Sequence, residues 1–284
     1  MVTPNPQILA RRILLIMFVL ISLNACTCSA KTDSVSIVAA AQVPYQIERW
    51  QRDIELTKAI TSIKIQNLHG NLTLKQTDAA GIGVQAVEQK LGSTPETANF
   101  EARTVDGQLQ LAIIYASDAV TGADAKVDGH LKGRVDLAVF VPRAIALELQ
   151  TSFADLVVRK LHNPIHAQTD SGSISVSTSL ASELTSQTGN ISYLPSDCAA
   201  ASGVKIRTNG AYAVVDVPTY CTLLLDVNAK SLIVGQEPVT LKAGHWQRQY
   251  PNTAKVSSST DAVMRIAAPK AELTLSLMQE KNNF

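Results

Sequence analysis

The sequence predicts an all-β protein whose body is a parallel β-solenoid with short coils of about 17–21 residues. From residue 54 onward apolar residues alternate with polar ones, and Gly and Asn interrupt the alternation, which is typical of short strands. An eight-residue motif recurs from about residue 148, at offsets of 18, 17 and 21 residues. Charged residues make up 17% of the chain and aromatic residues 5%, so Ser, Thr, Asn and Gln must cover much of the surface, which favours strands over surface helices.

The N-terminal segment is typical of an export signal. Arg11 and Arg12 are followed by an apolar stretch at 13–23, which is too short to span a bilayer. The stretch ends in Leu-Asn-Ala-Cys at 23–26, which resembles the lipobox of bacterial lipoproteins. In that family the cysteine is alkylated by a diacylglycerol before cleavage. The resemblance implies a lipoprotein signal peptide over residues 1–25 and a mature protein that acyl chains on Cys26, such as palmitate, hold to a membrane.

Two other fates of this segment stay open. Cleavage after Ala30 would release a soluble protein, and an uncleaved segment would act as a short anchor. Thr27, rather than aspartate, after the cysteine resembles the outer-membrane pattern of Gram-negative sorting. We therefore expect a lipid-anchored protein of the bacterial cell envelope, at the outer membrane and facing the periplasm or the outside. Residues 26–53 suit a tether, and residues 54–284 form the predicted solenoid domain.

Charge and cysteine usage limit the classes of partner. Removing residues 1–25 takes away two arginines and no acid, which leaves 23 basic and 24 acidic residues. Nothing in this balance suggests a nucleic-acid partner. Export permits disulfides, and Cys198 and Cys221 each lie close to a turn in neighbouring repeats. We expect a bridge between them; two buried free thiols are the alternative.

The repeat defines the expected coils. Residues 151–158, 169–176, 186–193 and 207–214 can be superposed. Their shared turn position, at which we expect a positive φ, is occupied by Ala154, Gly172, Gly189 and Gly210. The predicted inward positions are Leu156, Val158, Ile174, Val176, Ile191, Tyr193, Tyr212 and Val214. We expect polar runs between the units, such as 177–179, to stack in ladders on the outer face. We also expect further coils at 223–235 and 264–275.

These units resemble the bacterial putative-adhesin family of unknown function. Its members combine a first strand pair with an Asn-x-x-Gly turn, a Val-Pro edge, and several Thr-x-Ser-Gly-x-Ile-x-Val coils. Here the turn lies at 67–70, the edge is Val141-Pro142, and the coils are those above. The resemblance, from about residue 54 to the C-terminus, implies a right-handed β-helix-like solenoid at the cell envelope. It implies no established activity, so no active-site residue carries over.

The sequence contains no pattern of catalytic, cofactor-binding or metal-ligating residues. His162 and His166 are four residues apart, but the Asn-Pro between them blocks a helix and no glutamate follows at zinc-site spacing. There is no Gly-x-Ser-x-Gly nucleophile motif. Solenoid enzymes that act on polysaccharides place acids and bases on one face, whereas Asp155, Arg159 and Asp170 are scattered singly. We therefore expect a protein that is not an enzyme.

One predicted loop combines rings and a cation. His245, Trp246, Arg248 and Tyr250 lie close together there and are candidates for contact with a sugar or a peptide. The alternative is a loop that covers the open end of the solenoid. The leading hypothesis is a non-enzymatic, adhesin-like binding or scaffolding protein whose partners are the membrane, through its lipid, and an envelope protein or polysaccharide. The alternatives are a carbohydrate-active enzyme on a β-helix and an accessory of an envelope-stress signalling system.

Overall fold

A computed structural model describes residues 45–92, 95–116, 133–250 and 263–278, which belong to one compact unit. The predicted signal peptide, the lipidation site Cys26 and most of the predicted tether lie outside the described residues. Within the described part of the chain, no helix is long and apolar enough to cross a membrane.

The structure is all-β. Its first nine strands are β1 (Tyr45–Ile54), β2 (Ser62–Asn67), β3 (Leu72–Gln76), β4 (Ile82–Leu91), β5 (Asn99–Val105), β6 (Gln108–Ile114), β7 (Arg134–Val141), β8 (Ala146–Thr151) and β9 (Leu156–Leu161). The next six are β10 (Ile165–Thr169), β11 (Ile174–Thr178), β12 (Ser182–Ser186), β13 (Ile191–Pro195), β14 (Lys205–Thr208) and β15 (Tyr212–Pro218). The last are β16 (Leu223–Val234), β17 (Glu237–Val239), β18 (His245–Tyr250) and β19 (Val263–Met278), and a short helix α1 (Cys198–Ala201) precedes β14.

The strands stack as coils, each of which contributes one strand to each of two faces. The first face runs β5, β6, β2, β8, β10, β12, β14, the first half of β19, the first half of β16, and β18. The second face runs β1, β4, β7, β3, β9, β11, β13, β15, the second half of β19, the second half of β16, and β17. Because β16 and β19 continue from one face to the other, all strands belong to one large, mostly parallel, unclosed sheet.

The spatial order of the coils departs from the chain order at both ends. The coil β6/β7 lies outside β2/β3, although it follows it in sequence. The C-terminal strand β19 inserts between the coil β14/β15 and β16. Antiparallel strands then cover both ends of the stack, with β5, β4 and β1 at one end and β17 and β18 at the other. In the described part of the chain β1, β5, β17 and β18 each pair with one other strand, so they form the outer edges of the stack.

Alternation of side chains produces the core. Successive side chains of a strand point to opposite sides, so one set from each face fills the space between the two faces. The predicted inward residues Leu156, Val158, Ile174, Val176, Ile191 and Tyr193 are all buried. The sequence therefore predicted the inward set correctly for the first three repeats.

The fourth repeat is offset by one residue. The Cα of Ile191 pairs with Ala213, not with Tyr212. Ala213 and Val215 face the core, whereas the side chain of Tyr212 is 52% exposed. The prediction that Tyr212 and Val214 point inward is wrong because one extra residue separates Gly210 from its strand, and a one-residue shift moves every side chain to the other side.

The repeated glycines are required by close packing of the coils, not by a positive φ. A β-carbon on Gly172 would overlap the carbonyl oxygen of Ala154 in the preceding coil. A β-carbon on Gly189 would overlap that of Gly172, and one on Gly210 would overlap that of Gly189. None of these three glycines has a positive φ. The expected turn geometry is therefore wrong, although the turn position itself is correct.

Buried hydroxyls connect these turns. Thr169 Oγ1 donates to the carbonyl of Ser152 in the preceding coil, at 3.0 Å, and accepts from Gly172 N at 3.1 Å. Ser186 and Thr208 repeat the arrangement in the next two coils. Each hydroxyl thus satisfies one donor and one acceptor of the backbone at a corner where the strand ladder is interrupted.

The opposite corner is also buried, which corrects a second expectation. Thr178 is fully buried and Ser179 nearly so, instead of standing on the outer face. Thr178 Oγ1 donates to the carbonyl of Leu161 at 3.0 Å and accepts from Leu180 N at 3.2 Å. Thr178 and Ser179 therefore satisfy backbone groups between coils from inside the stack, whereas Ser177 of the same run is only partly buried.

The body begins earlier than expected. Residues 45–53 were assigned to the tether, but they belong to β1, which pairs with β4 along its whole length, from Tyr45 opposite Leu91 to Ile54 opposite Ile82. Trp50 packs against the core from this strand and lies 5.3 Å from the ring of Phe100. The segment lacks obvious periodicity because charged and amide residues occupy most of its exposed positions.

Candidate functional site

A groove crosses the outward side of β1, β4, β7 and β3, at the end of the stack where β1 lies. Its central row is formed by Cα partners on the four strands: Gln51 with Gln85, Gln85 with Ala138, and Ala138 with Thr73. The groove has a volume of about 560 Å³, and an adjoining compartment of about 440 Å³ shares Gln51 and Gln85 with it. This size suits a small or extended ligand.

Small residues form the floor. Gly83 lies between Asp53 and Phe140 in the cross-strand register, and Ala138 lies between Gln85 and Thr73. A β-carbon added to Gly83 would come no closer than 3.6 Å to its neighbours, so the backbone does not require glycine there. Small side chains at these two adjacent positions leave the space that larger outward residues would fill.

Two amides face this space. Gln51 and Gln85 are exposed and lie opposite each other on β1 and β4. Among the residues that the structure describes, neither side-chain amide forms a hydrogen bond. Each amide offers two N–H donors and one acceptor oxygen. The pair therefore presents donors and acceptors to a ligand in a fixed cross-strand arrangement.

One wall of the groove is held by hydrogen bonds. Asp136 Oδ1 accepts from Asn71 N at 2.8 Å and from Arg134 Nε at 2.8 Å. Asn71 in turn accepts from Asp155 N, through Oδ1 at 3.0 Å. These hydrogen bonds connect residues of three coils. They hold the Asp136 carboxylate in place without a ligand. Arg49, which lines the same compartment, supplies a cation on the opposite wall.

An aromatic ring lines the adjoining compartment. Phe140 is half-buried on the outward side of β7, and Lys75 Nζ lies 5.7 Å from its ring centroid. Asp53 and Glu55 line the same compartment. The compartment thus combines one apolar ring with carboxylates, which together can contact both the apolar and the hydroxyl surface of a ligand.

The ring-and-cation cluster predicted as a loop is part of a strand. His245, Trp246, Arg248 and Tyr250 lie on β18, which pairs antiparallel with the first half of β16. Consecutive strand residues point to opposite sides, so His245 is exposed on the outer side while Trp246 packs against the core. The expectation of a loop is therefore wrong, and the segment instead covers the end of the sheet through backbone pairing, as the alternative interpretation expected; contact of these residues with a ligand stays a prediction.

The scattered polar candidates have local structural contacts. Asp155 Oδ1 accepts from Ser173 N at 3.1 Å, and Asp170 Oδ1 accepts from Gln187 Nε2 at 3.0 Å. His162 contacts Ser179 Oγ, whereas His166 Nδ1 lies 3.8 Å from Glu183 Oε2. Across the described ranges, no group of three or more His, Cys, Asp or Glu side chains could hold a metal ion.

A disulfide joins two corners at the C-terminal part of the stack. Cys198 of α1 is bonded to Cys221, just before β16, with a Cα–Cα distance of 5.4 Å. Tyr193 OH donates to the carbonyl of Ala200 in the same helix at 2.6 Å. Burial raises the pKa of Tyr193, so the phenol stays protonated and keeps this donor. The two contacts fix the helix against the coils on either side of it.

Comparisons with known proteins find only distant similarity. No protein-family model matches the sequence, and no curated protein matches it. Among solved structures, a putative cell adhesion protein from Clostridium sporogenes is 9% identical, with 82% of this chain and 100% of that chain covered and a TM-score of 0.41. A putative adhesin from Bacteroides fragilis is 10% identical, with 82% and 95% covered and a TM-score of 0.25.

A putative adhesin from Parabacteroides merdae is similar at 9% identity, with 80% of this chain and 96% of that chain covered and a TM-score of 0.26. At these identities and TM-scores the similarities establish neither the family of this chain nor its function.

Sequence reasoning missed the groove. Its four strands are not neighbours in the expected order, because β7 packs between β4 and β3. A signal was nevertheless present. Gly83 and Ala138 are small residues at outward positions, where alternation leads one to expect long polar side chains.

Proposed function

We propose that this protein is a non-enzymatic, adhesin-like binding protein of the bacterial cell envelope, and that its groove holds a segment of a neutral glycan. The observation that carries this proposal is the exposed pair Gln51 and Gln85, which lies beside a floor of small residues. Amides match sugar hydroxyls because each amide both donates and accepts. The ring of Phe140 in the adjoining compartment offers an apolar surface for the C–H face of a sugar.

Pre-organisation supports binding rather than catalysis in this proposal. Asp136, the carboxylate in the main compartment, already accepts two hydrogen bonds from the protein. A general acid or base needs a carboxyl that is free to exchange a proton with its substrate. A carboxylate held in this way instead orients a hydroxyl of a bound sugar, and rigid groups lose little conformational freedom on binding.

The proposal includes anchoring and handedness. We infer that acyl chains on Cys26 hold the protein to a membrane, since the lipobox-like residues 23–26 follow an apolar stretch of signal-peptide length. We also infer that the stack is a right-handed β-solenoid, because connections between parallel strands of one sheet are right-handed in about 98% of cases.

Intact-mass measurement of protein from membranes tests the lipid anchor on Cys26. The expected mass is that of residues 26–284 plus a diacylglycerol, and it is lost in Cys26→Ser; an unmodified cysteine in the membrane-derived protein contradicts the proposed anchor.

Binding is tested with the full chain on an array of immobilised neutral oligosaccharides. Ala138→Trp fills the floor of the groove, and Ala112→Trp places the same ring on the outward side of β6, on the opposite face. We expect Ala138→Trp to weaken binding at least about tenfold, equivalent to about 1.4 kcal/mol, and Ala112→Trp to bind as the unmodified chain does. Binding by Ala138→Trp at unchanged strength, or no binding to any neutral glycan, contradicts the proposal.

A further inference from the structure

A second concave site, which we call the cationic pit, lies at the other end of the stack on the first face. It is formed by β14, β19, β16 and β18 and has a volume of about 230 Å³. Its floor is Ala267, which pairs with Arg207 on one side and Asn228 on the other. Asn228 pairs in turn with His245. A methyl side chain between longer polar ones leaves a depression that a small charged group can enter.

Cations are crowded around this depression. Lys205 and Arg265 are Cα partners on adjacent parallel strands, about 4.8 Å apart, and like charges placed directly opposite each other destabilise a sheet. Glu183 compensates only one side of the cluster, where it lies 3.2 Å from Arg207 and 3.8 Å from Lys205. In the described part of the chain Arg265 forms no ion pair, although Asp226 is its Cα partner on β16.

Asp226 is itself engaged. Its Oδ1 accepts from Gln247 Nε2 at 3.2 Å. Three cations, Lys205, Arg207 and Arg265, thus line the pit against one carboxylate, Asp226, which already has a partner. The guanidinium of Arg265 keeps its donors for an external acceptor, and guanidinium geometry matches the two oxygens of a carboxylate or sulfate.

We propose that the cationic pit binds the carboxylate or sulfate groups of an acidic polysaccharide. A polymer is favoured because a polar row continues from the pit across neighbouring strands. Arg207 pairs with Thr185, Thr185 with Gln168, and Gln168 with Gln150, all on the outward side of the first face. The anionic group enters beside Arg265, and adjacent uncharged units of the chain lie along this row. The site is separate from the groove, so its ligand does not depend on the proposed neutral-glycan binding.

The test measures binding of the full chain to dextran sulfate, with uncharged dextran as the matched polymer. Arg265→Gln removes the unpaired cation. Arg103→Gln is the control, since Arg103 is an exposed arginine on the outward side of the same face at the opposite end, where its Nε donates to Gln110. We expect dextran sulfate binding that weakens with salt, a loss of about tenfold in Arg265→Gln, a change of less than about twofold in Arg103→Gln, and no binding of dextran.

Thermal unfolding at low ionic strength shows whether Arg265→Gln folds. Its melting temperature is expected to equal or exceed that of the unmodified chain, because repulsion from Lys205 is relieved. Arg207→Gln is the second variant and should also weaken dextran sulfate binding. Equal loss in Arg103→Gln indicates general surface charge and overturns the proposal. So does unchanged binding in Arg265→Gln, or an Arg265-dependent affinity of the Cys26→Ser chain for phosphatidylglycerol vesicles without affinity for dextran sulfate.

Discussion

The hydroxyl of Thr169 lies 3.0 Å from the carbonyl oxygen of Ser152, which belongs to the preceding coil. The same hydroxyl accepts from Gly172 N, so one buried atom connects two successive turns of the stack. Asn67 takes the equivalent role near the other end of the stack, where its side-chain amide donates to the carbonyls of Asn71 and Val135. The corners of the coils are therefore held by buried side chains in addition to backbone hydrogen bonds such as that from Ser171 N to Ser152 O, whereas the flat parts are held by backbone pairing.

Replacing Thr169 with valine keeps its shape and removes both hydrogen bonds. We expect the free energy of unfolding to fall by about 1–2 kcal/mol, because two hydrogen bonds are lost, although Ser152 O still accepts from Ser171 N and Gly172 N. Thr185→Val, on the outward side of the next coil, is the matched control and should change stability by less than about 0.5 kcal/mol. Urea denaturation measures both. Equal effects of the two substitutions contradict the role given to the hydroxyl.

Gly189 tests the close packing of the turns. Gly189→Ala places a methyl group against the carbonyl oxygen of Gly172, so the coils must separate locally. We expect a loss of stability of about 1–3 kcal/mol, typical of overpacking. Gly83→Ala should be tolerated, since its β-carbon meets only ordinary contacts. Thermal unfolding of the two variants decides between them, and a stable Gly189→Ala protein refutes the stacked-turn explanation.

The bridge between Cys198 and Cys221 encloses a segment with a sequence separation of 23 residues. A loop of this length predicts a stabilisation of about 3 kcal/mol from restriction of the unfolded chain. Reductant should therefore lower the melting temperature of the unmodified protein. It should leave the Cys198→Ser/Cys221→Ser protein, which is already destabilised, unaffected. Identical responses of the two proteins to reductant indicate that the thiols are not bonded.

Asp216 predicts a specific dependence of stability on pH. Partial burial raises the pKa of its carboxyl, and a hydrogen bond from Ser276 offsets only part of this shift. Because the folded state holds the proton more tightly than the unfolded state, stability falls as the pH rises through the acidic range in which this carboxyl ionises. Asp216→Asn should therefore be more stable than the unmodified protein at pH 7, and this advantage should shrink toward pH 3. Denaturant titrations across this range measure the difference, and an advantage independent of pH is inconsistent with the cause given.

The sequence carried enough information for the class of fold and for most of the core. Alternation placed residues such as Ile174 and Val176 correctly, because each coil is a local unit with its own strand pattern. The offset at Tyr212 could not be predicted from the sequence. An extra residue in a turn leaves the alternation of apolar and polar residues intact but exchanges the residues that point inward with those that point outward. The order of the coils at the two ends was also hidden, because contacts between distant segments, such as β7 against β3, decide it.

The groove and the strand β18 show the same limit. Gln51 and Gln85 lie far apart in the chain, and only the pairing of β1 with β4 brings them together. Trp246 resembled a surface ring in a loop, but backbone pairing with β16 turns it toward the core. Local sequence patterns therefore predicted the coils. The groove and the end strand depend instead on pairing between strands that are distant in the chain.

Nuclear magnetic resonance of the side-chain amides tests the central claim most directly. The signals of Gln51 and Gln85 can be assigned from their loss in Gln51→Glu and Gln85→Glu. On addition of the neutral oligosaccharide that binds most tightly on the array, we expect both pairs of signals to shift, while those of Gln110 and Gln168 on the opposite face stay in place. Shifts confined to the opposite face, or signals of Gln51 and Gln85 that stay unchanged at saturation, would contradict the assignment of the groove as the glycan site.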